Sequence, residues 1–246
     1  MRKVIYTVIV GGYDDVRSLP PFPGWDFVLL TDKKPSLWKR LLRRSRWQVR
    51  LFDNPGLDLT RYSRLPKLKP HLFFPDYDYS VYIDGNARFE RDPSELLEAL
   101  GWPSFAVSEH PFRSNLYDEF SECSRMGYDA PDVFERQEEK YRAEGLSDPA
   151  PLYENNLILR RHNEAKVMEL GDLWFDELGK ESKRDQLSLP YVCWCKGFSP
   201  SAFPQSMKRQ YFRTRSHHRS FWTRIGKSMR KRFQRMRQPR YLSFEK

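Results

Sequence analysis

Apolar residues in this chain gather in short runs, and nearly every run stops at a polar or glycine-rich break. Lys3 to Val10 is one such run, closed by Gly11-Gly12-Tyr13-Asp14-Asp15. Trp25 to Thr31 is the second, ending at Asp32, and Trp47 to Phe52 is the third. Tyr79 to Ile83 runs into Asp84-Gly85-Asn86, Phe105 to Ser108 into Glu109-His110, and Tyr153 to Leu159 completes the set. Runs of this length, rich in β-branched and aromatic residues and bounded by turn formers, predict strands. Between them the spacing is helical. Thr60 to Phe74 predicts a helix kinked or broken at Pro66 and Pro70. Pro93 opens a helix continued by Ser94 to Leu100. Leu116 to Met126, Asp132 to Ala143, Glu164 to Leu178 and Asp185 to Cys195, the last interrupted by Pro190, predict four more. This alternation predicts an α/β fold: an open, mostly parallel, Rossmann-like sheet flanked by helices.

In such sheets ligands sit beyond the carboxyl ends of the strands. Polar groups end four of the predicted strands: Tyr13 with Asp14, Asp32, Asp84 with Asn86, and Glu109 with His110. Four such ends point to one cleft. The Tyr79–Ile83 run is a buried strand that delivers Asp84 to the mouth of the sheet, and Gly85 permits a turn that aims Asn86 at the same point. Two oxygen donors there suit a divalent cation that keeps positions open for substrate phosphates; Asp-Gly-Asn is also ordinary turn chemistry. Arg64 and Lys67, beside Pro66, would neutralise a diphosphate leaving group or lie on a solvated helix face, and Arg61 and Lys69 read as the latter. Tyr13 offers a stacking surface for a nucleobase and Asp32 an acceptor for base or ribose; the plain alternatives are a turn aromatic and a strand-end cap. Glu109 and His110 would orient an acceptor hydroxyl or supply a base, or simply belong to a loop. Asn155 and Asn156 are sugar-hydroxyl donors or a turn. Asp185 opens a helix, where a carboxylate also complements the macrodipole. No glycine-rich phosphate loop and no Gly-x-Ser-x-Gly elbow is present.

Charge changes the picture at one end only. Residues 205–246 hold 14 of the 43 Lys/Arg and one of the 33 acids, so the remainder carries −3 while the whole chain carries +10. This predicts a nearly neutral domain over residues 1–204 and a basic tail over 205–246. In the tail, Phe221, Trp222, Ile225, Met229, Phe233 and Met236 share one helical face with arginines and lysines around it. Such a helix lies in an anionic membrane interface or docks on the domain. No base-reading module accompanies these bases, so nucleic acid is not the expected partner. The hydrophobic fraction is 39% and the aromatic fraction 15%, which allows a full core. No run is long enough to cross a bilayer, and the first apolar stretch is too short for a signal peptide. Cys123, Cys193 and Cys195 have neither disulfide nor zinc spacing, which predicts buried thiols in a reducing cytosol.

Several segments taken together resemble one family. They are Thr7-Val8-Ile9-Val10-Gly11-Gly12-Tyr13-Asp14, Arg64-Leu65-Pro66-Lys67 with Pro70-His71, Tyr82-Ile83-Asp84-Gly85-Asn86, Ser108-Glu109-His110, and Arg184-Asp185-Gln186-Leu187-Ser188. In this order, over roughly residues 3–200, they resemble the glycosyltransferase-like domain family known from plant mucilage and turgor-regulation proteins and from bacteria. That family is similar to retaining GT-A glycosyltransferases of the glycogenin and lipopolysaccharide galactosyltransferase type. The resemblance implies a UDP-sugar donor, Mn²⁺ or Mg²⁺, and a metal held by Asp84, Asn86 and a late histidine, His217 being a candidate. It implies that Thr7, Tyr13 and Asp32 hold the nucleoside, that Arg64 and Lys67 face the diphosphate, and that Asp185 and Gln186 approach the anomeric carbon. Glu109, His110 and Asn155 would serve the acceptor, a glycan or a lipid-linked glycan of surface polysaccharide synthesis. The resulting expectation is a cytoplasmic enzyme, peripheral on the inner leaflet through its tail. A ceramidase activity attributed within the family keeps a metal-dependent lipid hydrolase as the rival, and a non-enzymatic anionic-polymer-binding module is the third reading.

Overall fold

The computed structural model describes residues 1–12, 16–33 and 46–215. Residues 1–215 form one compact unit; Tyr13, His217 and the rest of the 216–246 segment lie outside the described residues. The body therefore continues eleven residues past the predicted boundary at 204, because residues 205–215 fold into a helix and a strand.

A seven-stranded sheet organises the unit, in the order β3-β2-β1-β4-β7-β6-β8. These strands are β1 (Lys3–Ile9), β2 (Trp25–Thr31), β3 (Gln48–Leu51), β4 (Tyr79–Ile83), β6 (Phe105–Glu109), β7 (Tyr153–Arg160) and β8 (Ser201–Phe203). The pairings of β1 with β2 and β4, β2 with β3, and β6 with β8 are parallel. β7 is antiparallel to both β4 and β6, so β6 runs the same way as β1 and β4. A separate ribbon pairs β5 (Ala87–Phe89) with β9 (Phe212–Thr214).

Burial on both faces explains the continuous apolar runs. Along β1 the side chains alternate: Val4, Tyr6 and Val8 join one core layer, and Ile5 and Ile9 the other. The first layer packs under α1 (Leu59–Leu68), α3 (Leu116–Met126), α4 (Pro131–Ala143), α5 (Ala165–Lys180) and α6 (Asp185–Cys195), with Trp174 wholly buried. The second packs under α2 (Pro93–Ala99), the 16–22 loop and α7 (Gln205–Tyr211). Among the described residues no helix is long and apolar enough to cross a membrane.

The predicted Thr60–Phe74 helix is two elements. α1 starts where the Asp58 side chain accepts from the Thr60 and Arg61 amides, and ends at Leu68, followed by a 3₁₀ turn over Pro70–Leu72. Pro70 has no N–H to give the Pro66 carbonyl four residues back. The Tyr6 hydroxyl of β1 donates to that carbonyl instead, at 3.0 Å. Arg160, 1% exposed at the end of β7, donates to the neighbouring Lys67 carbonyl and to the Tyr6 hydroxyl. The sheet thus fixes the end of the helix that carries Lys67.

Candidate active site at the carboxyl edge of the sheet

Because β1, β2, β4 and β6 run the same way, the segments that follow them leave one edge of the sheet, and β7 begins at that edge. β4 is buried from end to end, and the chain then turns at Asp84-Gly85-Asn86, closed by the Ala87 amide donating to the Asp84 carbonyl at 2.9 Å. The Asp84 amide donates to Asn156 O on β7 (3.1 Å), which pins the turn to the sheet. Tyr82, two residues back and on the same face, donates its hydroxyl to Asp84 Oδ1 at 2.8 Å. The Asp84 side chain stays 35% exposed.

Beneath it lies an ion cluster. Lys67 Nζ is 2.7 Å from Asp185 Oδ2 and 4.0 Å from Asp84 Oδ1, and rests 4.9 Å from the centre of the Tyr82 ring. Arg64 Nε donates to Asp185 Oδ1 at 3.0 Å. Asp185 is 4% exposed and Lys67 3%. Burial works against the Asp185 charge, but Lys67 and then Arg64 outweigh it and hold the carboxyl well below the usual carboxylate range. Burial pulls the Lys67 ammonium down, against the attraction of Asp185 and Asp84. For Arg64 the same burial is overcome by Asp185, Tyr82 and Asp84, and its guanidinium is pushed up. The start of α6 is held in turn. The Asp185 carbonyl accepts from Trp174 Nε1 (2.8 Å) and from Asn155 Nδ2 (3.3 Å), and Gln186 Nε2 donates to Tyr153 O at 2.8 Å.

A second polar group adjoins Asp84. Lys208 of α7, 4% exposed, donates to Glu154 Oε2 at 2.6 Å and to Asn156 Oδ1. Gln205 Nε2 also donates to Glu154 Oε2, at 2.8 Å. Burial lowers the Lys208 ammonium while Glu154 and Asp84 raise it, so this cation also serves the field around Asp84. Asn86 Nδ2 donates to Arg215 O at 2.6 Å and Asn86 O accepts from Arg215 N at 3.1 Å, which clips the end of β9 to the turn.

The remaining predicted residues fall elsewhere. Asp32 follows β2 and accepts from the Gly11 amide at 3.2 and 3.1 Å, about 10 Å from β4 at ordinary strand spacing. Thr7 is wholly buried in mid-strand, and its hydroxyl has no partner among the described residues; it faces the core rather than a ligand surface. Glu109 is exposed at the end of β6. His110 is half-buried, and its Nδ1 accepts from the Arg113 amide at 3.1 Å. Burial lowers its pKa, with Glu119 opposing and Arg113 assisting. Asp84, Lys67, Arg64 and Asp185 are therefore brought together, with Asn86, Asn155 and Gln186 beside them; Thr7, Asp32, Glu109 and His110 are not part of that cluster. The sequence reading missed Tyr82, Glu154, Gln205 and Lys208. Tyr82 could have been found from the two-residue period of its strand.

No three carboxylate, imidazole or thiolate groups converge to hold a metal among the described residues. What the edge offers is one hard, partly exposed carboxylate whose contacts with its neighbours both fall on Oδ1. That donor set fits Mn²⁺ or Mg²⁺ shared with substrate phosphates, not a protein-caged ion.

The profile of the TOD1/MUCI70 glycosyltransferase-like domain family matches residues 37–217. The chain belongs to this family. The match includes Arg64, Lys67, Asp84, Asn86, Asp185 and Gln186 and ends on His217, whereas Thr7, Tyr13 and Asp32 precede it. The chain is similar to the Arabidopsis thaliana protein named "Probable hexosyltransferase MUCI70", 28% identical over 218 residues, covering 77% of this chain and 36% of the relative. It is also similar to "Alkaline ceramidase TOD1" of the same plant, 26% identical over 174 residues, covering 66% and 36%. The chain thus spans about a third of the length of these curated relatives. Solved structures resembling it include the glycosyltransferase GlyE of Streptococcus pneumoniae TIGR4, with 14% identity, TM-score 0.46, and coverage of 82% of this chain and 45% of that one. The bifunctional glycosyltransferase WbbM matches with 16% identity, TM-score 0.44, and coverage of 81% and 38%.

Proposed function

We propose that this domain is a metal-dependent, retaining GT-A hexosyltransferase that moves a sugar from a nucleotide-sugar donor, UDP-linked, to a glycan or lipid-linked acceptor of surface polysaccharide synthesis. Its place of action in this reading is the cytoplasmic face of a membrane. The observation that carries the proposal is Asp84: a half-open carboxylate at the end of a buried central strand, aimed by Tyr82 and backed by the Lys67–Asp185–Arg64 cluster. Family membership and the name of the MUCI70 relative support the same class.

Asp84 would hold the cation, with Asn86 as the further ligand this reading assigns among the described residues. When bound, Mn²⁺ or Mg²⁺ supplies positive charge to the departing diphosphate. Lys67 keeps a fixed, desolvated ammonium 4.0 Å from Asp84 and adds to that field. Both Asp185 oxygens are engaged by Lys67 and Arg64, which suits a group that locks two cations better than one that attacks carbon. Gln186, tied to the Tyr153 carbonyl, lines the same helix start. In the transfer the bond from the anomeric carbon to the phosphate oxygen breaks and a bond to the acceptor oxygen forms on the same face. The acceptor proton passes to the leaving phosphate, so positioning and charge carry the work and no strong protein base is required.

Thermal shift and turnover against UDP-, GDP- and CMP-sugars, with and without Mn²⁺, test this. Stabilisation by a UDP-sugar in the presence of Mn²⁺, lost in Asp84→Asn, is the expected result. Unchanged turnover in that variant rejects the site, and release of fatty acid from ceramide without nucleotide-sugar binding puts the lipid-hydrolase rival in its place.

A further inference from the structure

We propose that the outer face of the β5–β9 ribbon is a docking surface for an anionic phospholipid membrane, one that presents the Asp84 edge of the sheet to the bilayer. The inference depends neither on the transfer reaction nor on residues 216–246.

The ribbon has two faces. Phe89 and Phe212 stand opposite each other, 5.3 Å apart between ring centres, and are buried. Arg88 and Arg213 also stand opposite each other, with side chains 40% and 51% exposed. Like charges placed directly across a pair of strands destabilise it, so folding alone does not favour this pair. One carboxylate serves both: Glu90 lies 2.9 Å from Arg88 and 3.6 Å from Arg213. Arg17 and Arg215 add two more guanidiniums. The Arg17 pKa is pulled down by partial burial and by repulsion from Arg215 and Arg88, with Glu90 opposing. Among the described residues, Arg88, Arg213 and Arg17 thus share Glu90, and Arg215, beside Arg17, is clipped to the Asp84–Asn86 turn through Asn86.

A second feature of the same edge is apolar. Phe112, in the loop after β6, is 84% exposed. β6 lies two strands from β4, which is about 10 Å. Cationic and aromatic contacts spread along one edge suit a plane of headgroups, where arginine binds phosphate and phenylalanine enters the interface. A groove-bound polymer would need them gathered in a channel.

The test is partition of the full chain onto vesicles of phosphatidylglycerol and phosphatidylcholine, with pure phosphatidylcholine as reference. Arg88→Ser/Arg213→Ser is expected to weaken partition about thirtyfold, at roughly fivefold per arginine. Arg88→Lys/Arg213→Lys is expected to retain it, which guards against a folding artefact. Phe112→Ser should reduce the binding that survives high salt. Partition of the serine double variant within about twofold of the parent overturns the proposal. So does tighter binding of the parent to single-stranded RNA than to the vesicles. Turnover of a soluble nucleotide sugar, followed in parallel, keeps failure of this surface distinct from failure of the transferase reading.

Discussion

Replacing Lys67 by methionine isolates the ion cluster on which the site rests. Methionine keeps an unbranched stem against Tyr82 while removing the ammonium. Asp185 Oδ2 then loses its partner at 2.7 Å, and Asp84 loses a cation at 4.0 Å. Removing one member of a buried ion pair costs roughly 3–5 kcal/mol, because the other charge is left without compensation. Arg64 still donates to Asp185 Oδ1, which places the expectation at the low end, about 3 kcal/mol. For a domain of this size that corresponds to a Tm lower by about 6–12 °C.

The same variant has a pH signature. Asp185 has a depressed pKa in the folded protein, so its contribution is present above the unfolded carboxylate pKa, about 4, and is lost as pH falls through the folded value. Without Lys67, burial, which raises the pKa, is opposed mainly by Arg64. The folded pKa moves up and acid unfolding begins at a higher pH than in the parent. Adding Asp185→Asn takes the carboxylate away from Arg64 as well, so the double variant should be no more stable than Lys67→Met alone. Thermal melts of the three proteins between neutral and acid pH decide the matter. A Lys67→Met melt within about 2 °C of the parent, with an unshifted acid limb, would refute the account of the cluster.

Other substitutions probe the elements around it. Asp84→Asn removes charge from a side chain that is 35% exposed; stability should stay within about 1 kcal/mol of the parent, while nucleotide-sugar turnover falls by about a hundredfold or more. In Gly171→Ala a Cβ on α5 would sit 2.5 Å from the Leu68 carbonyl oxygen of α1. Urea unfolding should show a loss of about 1–3 kcal/mol, and since Leu68 follows Lys67 the thermal shift that the proposed function expects from a UDP-sugar with Mn²⁺ should shrink as well; parent-like stability would contradict the close approach. His162 is wholly buried, its Nε2 is 2.8 Å from Phe74 O, and burial brings its pKa down to about 4. The unfolded histidine takes up its proton near pH 6.5 and the folded one only near 4, so stability should fall by about 3 kcal/mol across that window; His162→Gln should lack this slope in urea titrations at successive pH values.

Which parts of this arrangement were legible in the sequence follows from what makes a pattern local. β1, β2 and β4 are buried on both faces, and a doubly buried strand needs an unbroken apolar run, so the place where the run stops at Asp84 was readable. The direction of β7 was not, because an apolar run carries no arrow; its neighbours on either side set it. That reversal brings Glu154 and Asn156, at the start of the strand, to the same edge as Asp84. Lys208 looked like one more base in a basic segment. Only its burial against Phe212 and its pairing with Glu154, 54 residues away, set it apart. β8 and β9 are three residues each, too short for any periodicity to register, which is why the 205–215 segment read as tail. Asp185 was visible as a polar helix start, yet its character comes from Arg64 and Lys67, more than a hundred residues earlier. The carboxylate on the strand is specified by the run that delivers it. The cluster that gives it a field is specified by the packing of α1, α6 and β7, and only the folded chain brings those together.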